Sequence, residues 1–507
     1  MKLVEKKAEI SAEALLSAGH ALVLFDPRLP LSALPLQSAG AAAPKRRRGV
    51  AASSGSDIGH ALAQLLKRKG KPESDLAKTP QALDVGGSRL VFLAVDAEAA
   101  TFERHTLIRK ALALVLEETP EKLVVAALGG AAWRERIGAD AAYVAAVNAE
   151  ALPSRKRGPA APALKQLVLY GSTARAGLDH ALAAAEGNRL TRSLAALPPN
   201  ELSPGSYRKR IKALAKTYGW KVSEHDFAAL KKMGAGAFCA VAQGSPAQDA
   251  AIVRVEYDGR GAKGKAAAMA LVGKGICFDT GGHNLKPARY MHGMHEDMTG
   301  SAVVLGILAA AARLKLPLRL TGWLALAENH ISPLAYRQNE VVAALNGTTI
   351  EIVHTDAEGR MVLADTLHLA AREKPQLICD FATLTGSMHY ALGSRMSGVF
   401  ATSSALAHAA SRAGAASGER IVVFPQPEDY DAALDSTVAD VKQCSMEGEA
   451  DHILATRFLS RFVGDTPWLH MDLSGHSCKG GLGAVMSDAN GFGVAWGMAL
   501  LHGLQAQ

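Results

Sequence analysis

Short apolar runs that alternate with helical patterns constrain this chain most. Leu90–Val95, Leu123–Leu128, Gln166–Tyr170, Ala268–Val272, Leu320–Leu326, Gln376–Asp380 and Trp468–Leu473 each have the length and residue types of a buried strand, and helix-period segments separate them. Strands that are apolar on both faces and joined by helices belong in a largely parallel sheet covered on both sides. At 507 residues the chain exceeds what one hydrophobic core usually supports. The expectation is therefore α/β with two domains: a smaller N-terminal α/β domain over 1–174, a connecting helix over 175–196, and a larger domain over 197–507 with a mostly parallel central sheet flanked by helices. Leu197-Pro198-Pro199-Asn200 stops the connecting helix, because proline cannot continue it.

Composition narrows the class further. With 49% hydrophobic and 21% charged residues, the chain reads as an ordinary globular protein. The longest apolar run, Ala302 to Ala312, is too short to span a bilayer and is read as a buried helix, so no membrane partner is expected. The opening Met1-Lys2-Leu3-Val4-Glu5-Lys6-Lys7 lacks the pattern of a secretory signal, and the five cysteines are odd in number and scattered, so free thiols in the cytoplasm are expected. The net charge of +8 is modest for this length. Lys45-Arg46-Arg47-Arg48, in an Ala-, Gly- and Ser-rich stretch over 39–56, is read as a solvated loop rather than a nucleic-acid contact.

The chemistry gathers in the second half. His354-Thr355-Asp356-Ala357-Glu358-Gly359-Arg360 places two carboxylates and a guanidinium between a strand-like Thr349–Val353 and a helical Met361–Ala370. Lys274 and Asp279 follow the strand ending at Val272, Lys286 lies just beyond, and Asp297 precedes the buried helix, where it could simply be a cap. Taken together, four carboxylates near strand ends cannot ionise side by side in a low-dielectric crevice unless cations offset their repulsion. Divalent metal is the simplest such cation, and oxygen-rich ligands suit Mg²⁺, Mn²⁺ or Zn²⁺, with either one ion or two sharing ligands. A metal pair can generate hydroxide and polarise a carbonyl, while Lys286 and Arg360 stabilise an oxyanion. His470, Asp472, His476 and Ser474 could suggest a triad or second metal site, but no supporting motif accompanies them.

These stretches resemble the leucyl aminopeptidase family of dinuclear metallopeptidases, the cytosol aminopeptidases. The resemblance rests on Val272 to Gly282, Leu285-Lys286-Pro287, Asp297-Met298 and above all Thr355-Asp356-Ala357-Glu358-Gly359-Arg360, and spans roughly 190 to 500. Ala327-Glu328-Asn329 and Ala382-Thr383-Leu384-Thr385-Gly386 are weaker matches. The resemblance implies a metal held by Lys274, Asp279, Asp297 and Glu358, and a second held by Asp279, Asp356 and Glu358, with Mn²⁺ or Zn²⁺ as the divalent ions. It further implies that Lys286 polarises the scissile carbonyl, that Arg360 holds a bicarbonate base, and that Met294, Leu384 and Gly386 line the substrate cleft. The implied function is removal of a hydrophobic, leucine-like first residue from short peptides by a homohexamer. His354, Thr280, His283, Asn284 and Thr299-Gly300-Ser301 depart from the usual pattern without removing a ligand. The rival expectations are a DNA-binding regulator and a dipeptidase of cysteinylglycine type, separable by salt-dependent DNA retention and by a substrate panel.

Overall fold

The computed structural model of the chain describes residues 1–36, 57–157, 163–172, 174–259 and 268–505. The basic run at Lys45–Arg48 lies outside these residues. The chain divides into two compact units, one of Met1–Ala185 with Leu482–Met486, the other of Glu186–Gly481 with Ser487–Gln507. The division along the chain falls inside helix Arg175–Ala195.

The first unit is built on six strands: β1 (Lys2–Lys6), β2 (His20–Phe25), β3 (Gln81–Val85), β4 (Ser88–Ala94), β5 (Lys122–Leu128) and β6 (Gln166–Tyr170). Their order is β1-β6-β5-β2-β4-β3, with every pairing parallel except the edge pair β3–β4. Val23, Phe92, Ala126 and neighbouring apolar side chains form a core against helix Ile58–Arg68, whose Ile58, Leu62, Leu65 and Leu66 are spaced to one face. Asp57 caps that helix through the His60 amide.

The second unit holds an eight-stranded sheet made of β7 (Lys221–Asp226), β8 (Ala251–Asp258), β9 (Ala268–Asp279), β10 (Arg319–Asn329), β13 (Leu377–Ala382), β14 (Ser397–Ala401), β15 (Ile421–Val423) and β17 (Trp468–Asp472). The intervening β11 (Val341–Ala343), β12 (Thr349–Glu351) and β16 (Val441–Lys442) form a separate three-stranded sheet. The large sheet runs β15-β14-β17-β13-β9-β10-β8-β7. Its four central strands, β17, β13, β9 and β10, are mutually parallel, as the alternating pattern requires. Antiparallel pairings β14–β17, β10–β8 and β8–β7 flank them. The strand-like segment before the acidic motif belongs to the small sheet instead: only Thr349–Glu351 pairs, antiparallel to β11 and parallel to β16.

Side chains alternate across β9. Ala270, Val272 and Ile276 join the core under helices Glu358–Arg372 and Gly236–Ala242. Gly273 and Gly275 face helix Thr299–Leu314, the apolar segment anticipated as buried, whose residues from Thr299 to Ala311 are indeed all buried. Strand and helix approach backbone to backbone: a Cβ on Gly273 would lie 2.5 Å from the Cα of Ser301, and one on Gly300 2.1 Å from the Phe381 carbonyl oxygen. Only glycine permits that contact, which brings the start of the helix, and with it Asp297, onto the sheet. All five cysteines are buried free thiols.

Candidate metal centre

The parallel strands end together at a pocket of about 940 Å³ lined by Lys274, Asp279, Lys286, Met294, Asp297, Asp356, Glu358, Arg360, Leu384 and Gly386 among others. This is the carboxyl edge of the sheet, where open α/β folds place their sites. Asp279 closes β9. Asp356 and Glu358 arrive from the small sheet, with Glu358 in the first turn of its helix, where the aligned peptide dipoles favour an anion.

Two lysines bind the cluster together. Lys274 Nζ lies 2.8 Å from Asp297 Oδ1 and 2.8 Å from Glu358 Oε1, and donates to the Thr383 carbonyl at 2.9 Å. Lys286 Nζ lies 2.9 Å from Asp279 Oδ2 and 2.6 Å from Asp356 Oδ1. Oxygens of Asp279, Asp356 and Glu358 come within 4.8 Å of one another. Burial disfavours charge on both lysines, yet the surrounding carboxylates outweigh it and keep them ammonium ions. Burial, with the mutual repulsion of the acids, pushes Asp297 up to about 7 and Asp356 to about 8, and Asp279 is raised for the same reasons. Glu358 alone is lowered: burial opposes its charge, but Lys274 and Lys286 together overcome that.

The donor set fits a divalent cation. Asp297 Oδ2 and Glu358 Oε2 are buried oxygens with no hydrogen-bond partner among the described residues. Such atoms are costly to bury unsatisfied, and a cation among four carboxylates would satisfy them. Lys274 could join as a ligand only after a neighbouring dication had driven off its proton.

Several supports have weak signals in the sequence. Asn329, at the end of β10, donates to Asp279 Oδ1 at 2.8 Å and to the Thr355 carbonyl at 3.0 Å, tying β9 to the acidic motif. Thr280 adds two hydrogen bonds to the Asn329 carbonyl, through its amide and its hydroxyl. Gly281, at φ +87°, makes the turn in which an added Cβ would crowd the Asn284 carbonyl and Asp356. Asn284 Oδ1 accepts from the Thr355 amide at 2.8 Å, and Tyr336 donates to the Thr355 carbonyl at 2.7 Å. Asp472 holds the Leu384–Gly386 turn by accepting from the Leu384 amide at 3.1 Å and the Thr385 hydroxyl at 2.6 Å. Of these, Asn329 and Thr385 sit in recognisable short motifs; Asp472 does not.

The unusual histidines act as braces. His354 Nδ1 accepts from the Asp356 amide at 3.3 Å, and burial together with Lys286 lowers its pKa, leaving a neutral imidazole on the pocket wall. His283 Nδ1 bonds the Tyr336 carbonyl at 2.9 Å. His470 pairs with Asp380 at 2.7 Å, His476 Nδ1 with the Leu473 carbonyl, and Ser474 with the Met396 carbonyl, so they do not form a triad with Asp472.

Similarity to known proteins identifies the family. Residues 189–497 match the family model of the cytosol aminopeptidase family, catalytic domain, and the chain belongs to that family. It is similar to probable cytosol aminopeptidases of Bradyrhizobium sp. (41% identity over 63% of this chain and 62% of the relative), Gluconobacter oxydans (40% over 67% and 69%) and Pseudomonas paraeruginosa (43% over 62% and 63%). The chain thus spans somewhat under two thirds of the Bradyrhizobium relative's length. Among solved structures it is similar to the bottromycin maturation enzyme BotP in complex with Mn, with a TM-score of 0.78, 29% identity, and coverage of 96% of this chain and 100% of that one.

Proposed function

We propose that the chain is a metal-dependent aminopeptidase that hydrolyses the N-terminal bond of short peptides in the cytoplasm. The observation that carries this reading is the set of four carboxylates and two buried lysines at one pocket, in a chain of the cytosol aminopeptidase family. Two divalent ions, Mn²⁺ or Zn²⁺, are assigned to Lys274, Asp279, Asp297, Asp356 and Glu358. Bound there, they would supply Lewis acidity and lower the pKa of a water. The chain's own residues do the rest. Lys286, 15% exposed at its side chain, is placed to donate to the substrate carbonyl oxygen as charge develops on it. Asp472 and Thr385 hold the Leu384–Gly386 turn still, so that a peptide can lie along it. Met294 and Leu384, with Gly386 beside them, offer the wall for a leucine-like first side chain. Homohexamer formation belongs to the same reading and is checked by sedimentation.

The test is hydrolysis of leucine amide, with and without its amino group acetylated, in the presence of Mn²⁺ or Zn²⁺, for the native chain and Glu358→Gln. The reading expects turnover of the free amine only and near-complete loss in the variant. Full activity of Glu358→Gln, or equal turnover of the acetylated compound, refutes it.

A further inference from the structure

Arg360 lies two residues beyond Glu358 on the same helix, and its side chain is 2% exposed. A guanidinium so deeply buried needs an anion. Nη1 donates to the Gln443 carbonyl at 3.2 Å, and Nη2 lies 2.8 Å from each carboxylate oxygen of Asp451. A guanidinium grips an oxyanion with two bonds either end-on, through Nη1 and Nη2, or side-on, through Nε and Nη2. Both modes use Nη2, and Asp451 has both of its oxygens there, so Nε, which has no hydrogen-bond partner among the described residues, is left to offer one bond and not two. Bicarbonate therefore does not fit the fork of Arg360 as this chain builds it.

Asp451 is also open on its other side. Its side chain is 24% exposed, and it lines the same pocket as Asp356 and Glu358. The backbone is bent to put it there: Ala450 adopts φ +49°, a conformation alanine disfavours, and Asp451 begins helix Asp451–Ser460 immediately after it.

We propose that Asp451 is a tethered oxyanion, seated on Arg360 in place of a free bicarbonate, and that it takes up the proton of the attacking water. This rests on the aminopeptidase reading. The water oxygen bonds the carbonyl carbon and one of its protons passes to the Asp451 carboxylate. As the carbon–nitrogen bond breaks, that proton moves to the leaving nitrogen and Asp451 is again ionised. One water is consumed, and no further reactant is needed.

The experiment measures retention of ¹³C-labelled bicarbonate by NMR on the metal-loaded chain, and leucine-amide turnover in CO₂-free buffer with and without added bicarbonate. It compares the native chain, Asp451→Gly and Asp451→Asn. The native chain should retain no bicarbonate and turn over equally well without it. Asp451→Gly should gain retention and lose turnover by the ~10²- to 10⁴-fold of a missing proton acceptor, with added bicarbonate restoring part of the loss. Asp451→Asn, which keeps the seat filled, should lose turnover without rescue. Retention by the native chain, or native turnover that rises with bicarbonate, overturns the proposal. So does an Asp451→Gly chain as unresponsive as the native one in both measurements. Retention is read without turnover, so a chain that hydrolyses nothing refutes the aminopeptidase reading separately.

Discussion

Replacing Lys274 with methionine keeps the length of the side chain and removes the ammonium from between Asp297 and Glu358. Two buried contacts of 2.8 Å disappear, and both acids lose the cation that balances them. Deleting one partner of a buried pair costs about 3–5 kcal/mol, because the other charge stays behind uncompensated. At ~2 cal/mol/K of unfolding entropy per residue, a unit of roughly 300 residues converts that loss to a fall of ~5–8 °C in Tm. Asp297, pushed up to about 7, relieves part of the strain by taking a proton, so the fall should be smaller at pH 6 than at pH 8. The assay is calorimetry of the chelator-dialysed chain beside the same chain with excess Mn²⁺. A dication would take over from the Lys274 ammonium the neutralising of the four acids, leaving only the loss of one ligand, so the deficit should shrink when metal is present. Equal Tm for native and variant chains without metal, or a deficit that metal leaves unchanged, would refute the idea that Lys274 is the counter-cation of this cluster.

Other perturbations separate the frame from the site. Gly300→Ala places a methyl against the Phe381 carbonyl and within 3.0 Å of the Lys274 amide, so it should push Asp297 away from the sheet and weaken Mn²⁺ binding at least tenfold by calorimetric titration. Asp380 accepts from the Trp468 indole at 2.6 Å and pairs with His470 at 2.7 Å. Asp380→Asn presents a donor where an acceptor is needed and should cost about 3 kcal/mol, while metal stoichiometry per folded chain stays unchanged. Glu419 accepts the Gly493 and Trp496 amides on one oxygen, and burial pushes it up to about 7. A carboxyl raised in the fold makes stability fall as pH climbs from its unfolded value toward 7, because the native state holds the extra proton. Glu419→Gln should therefore gain on the native chain in denaturant midpoint from pH 5 to pH 8; a constant difference would contradict that.

Much of the architecture was legible because buried parallel strands leave an apolar signature. The ends of β13 and β17 could be read to within a few residues, and helix Thr299–Leu314 declared itself by having no polar face, but β9 runs on to Asp279, beyond the Val272 at which its apolar run stops, so Lys274 lies inside the strand and not after it. The antiparallel flanks were not legible, since strand direction depends on how connections cross the sheet and not on side-chain pattern. The acidic motif identified its own turn, but not that the strand before it belongs to another sheet: three paired residues carry too little periodicity to show a partner. The candidate centre was visible wherever residues clustered in sequence. Asp451 was invisible because it reaches Arg360 across 91 residues and carries no motif of its own. Asn329 was quoted for resemblance alone, and only strand register reveals that it faces Asp279.

That register has a consequence for how such a chain can change. Asn329 stands opposite Asp279 across a bulge in the β9–β10 pairing, and from there it holds Thr355, so the spacing of the acids is measured by hydrogen bonds within the sheet. The segments 287–296 and 444–448, which supply the outer pocket wall, take no part in those two bonds. Selection can rewrite what the pocket admits through those segments, one substitution at a time, while the ruler that spaces the carboxylates goes untouched.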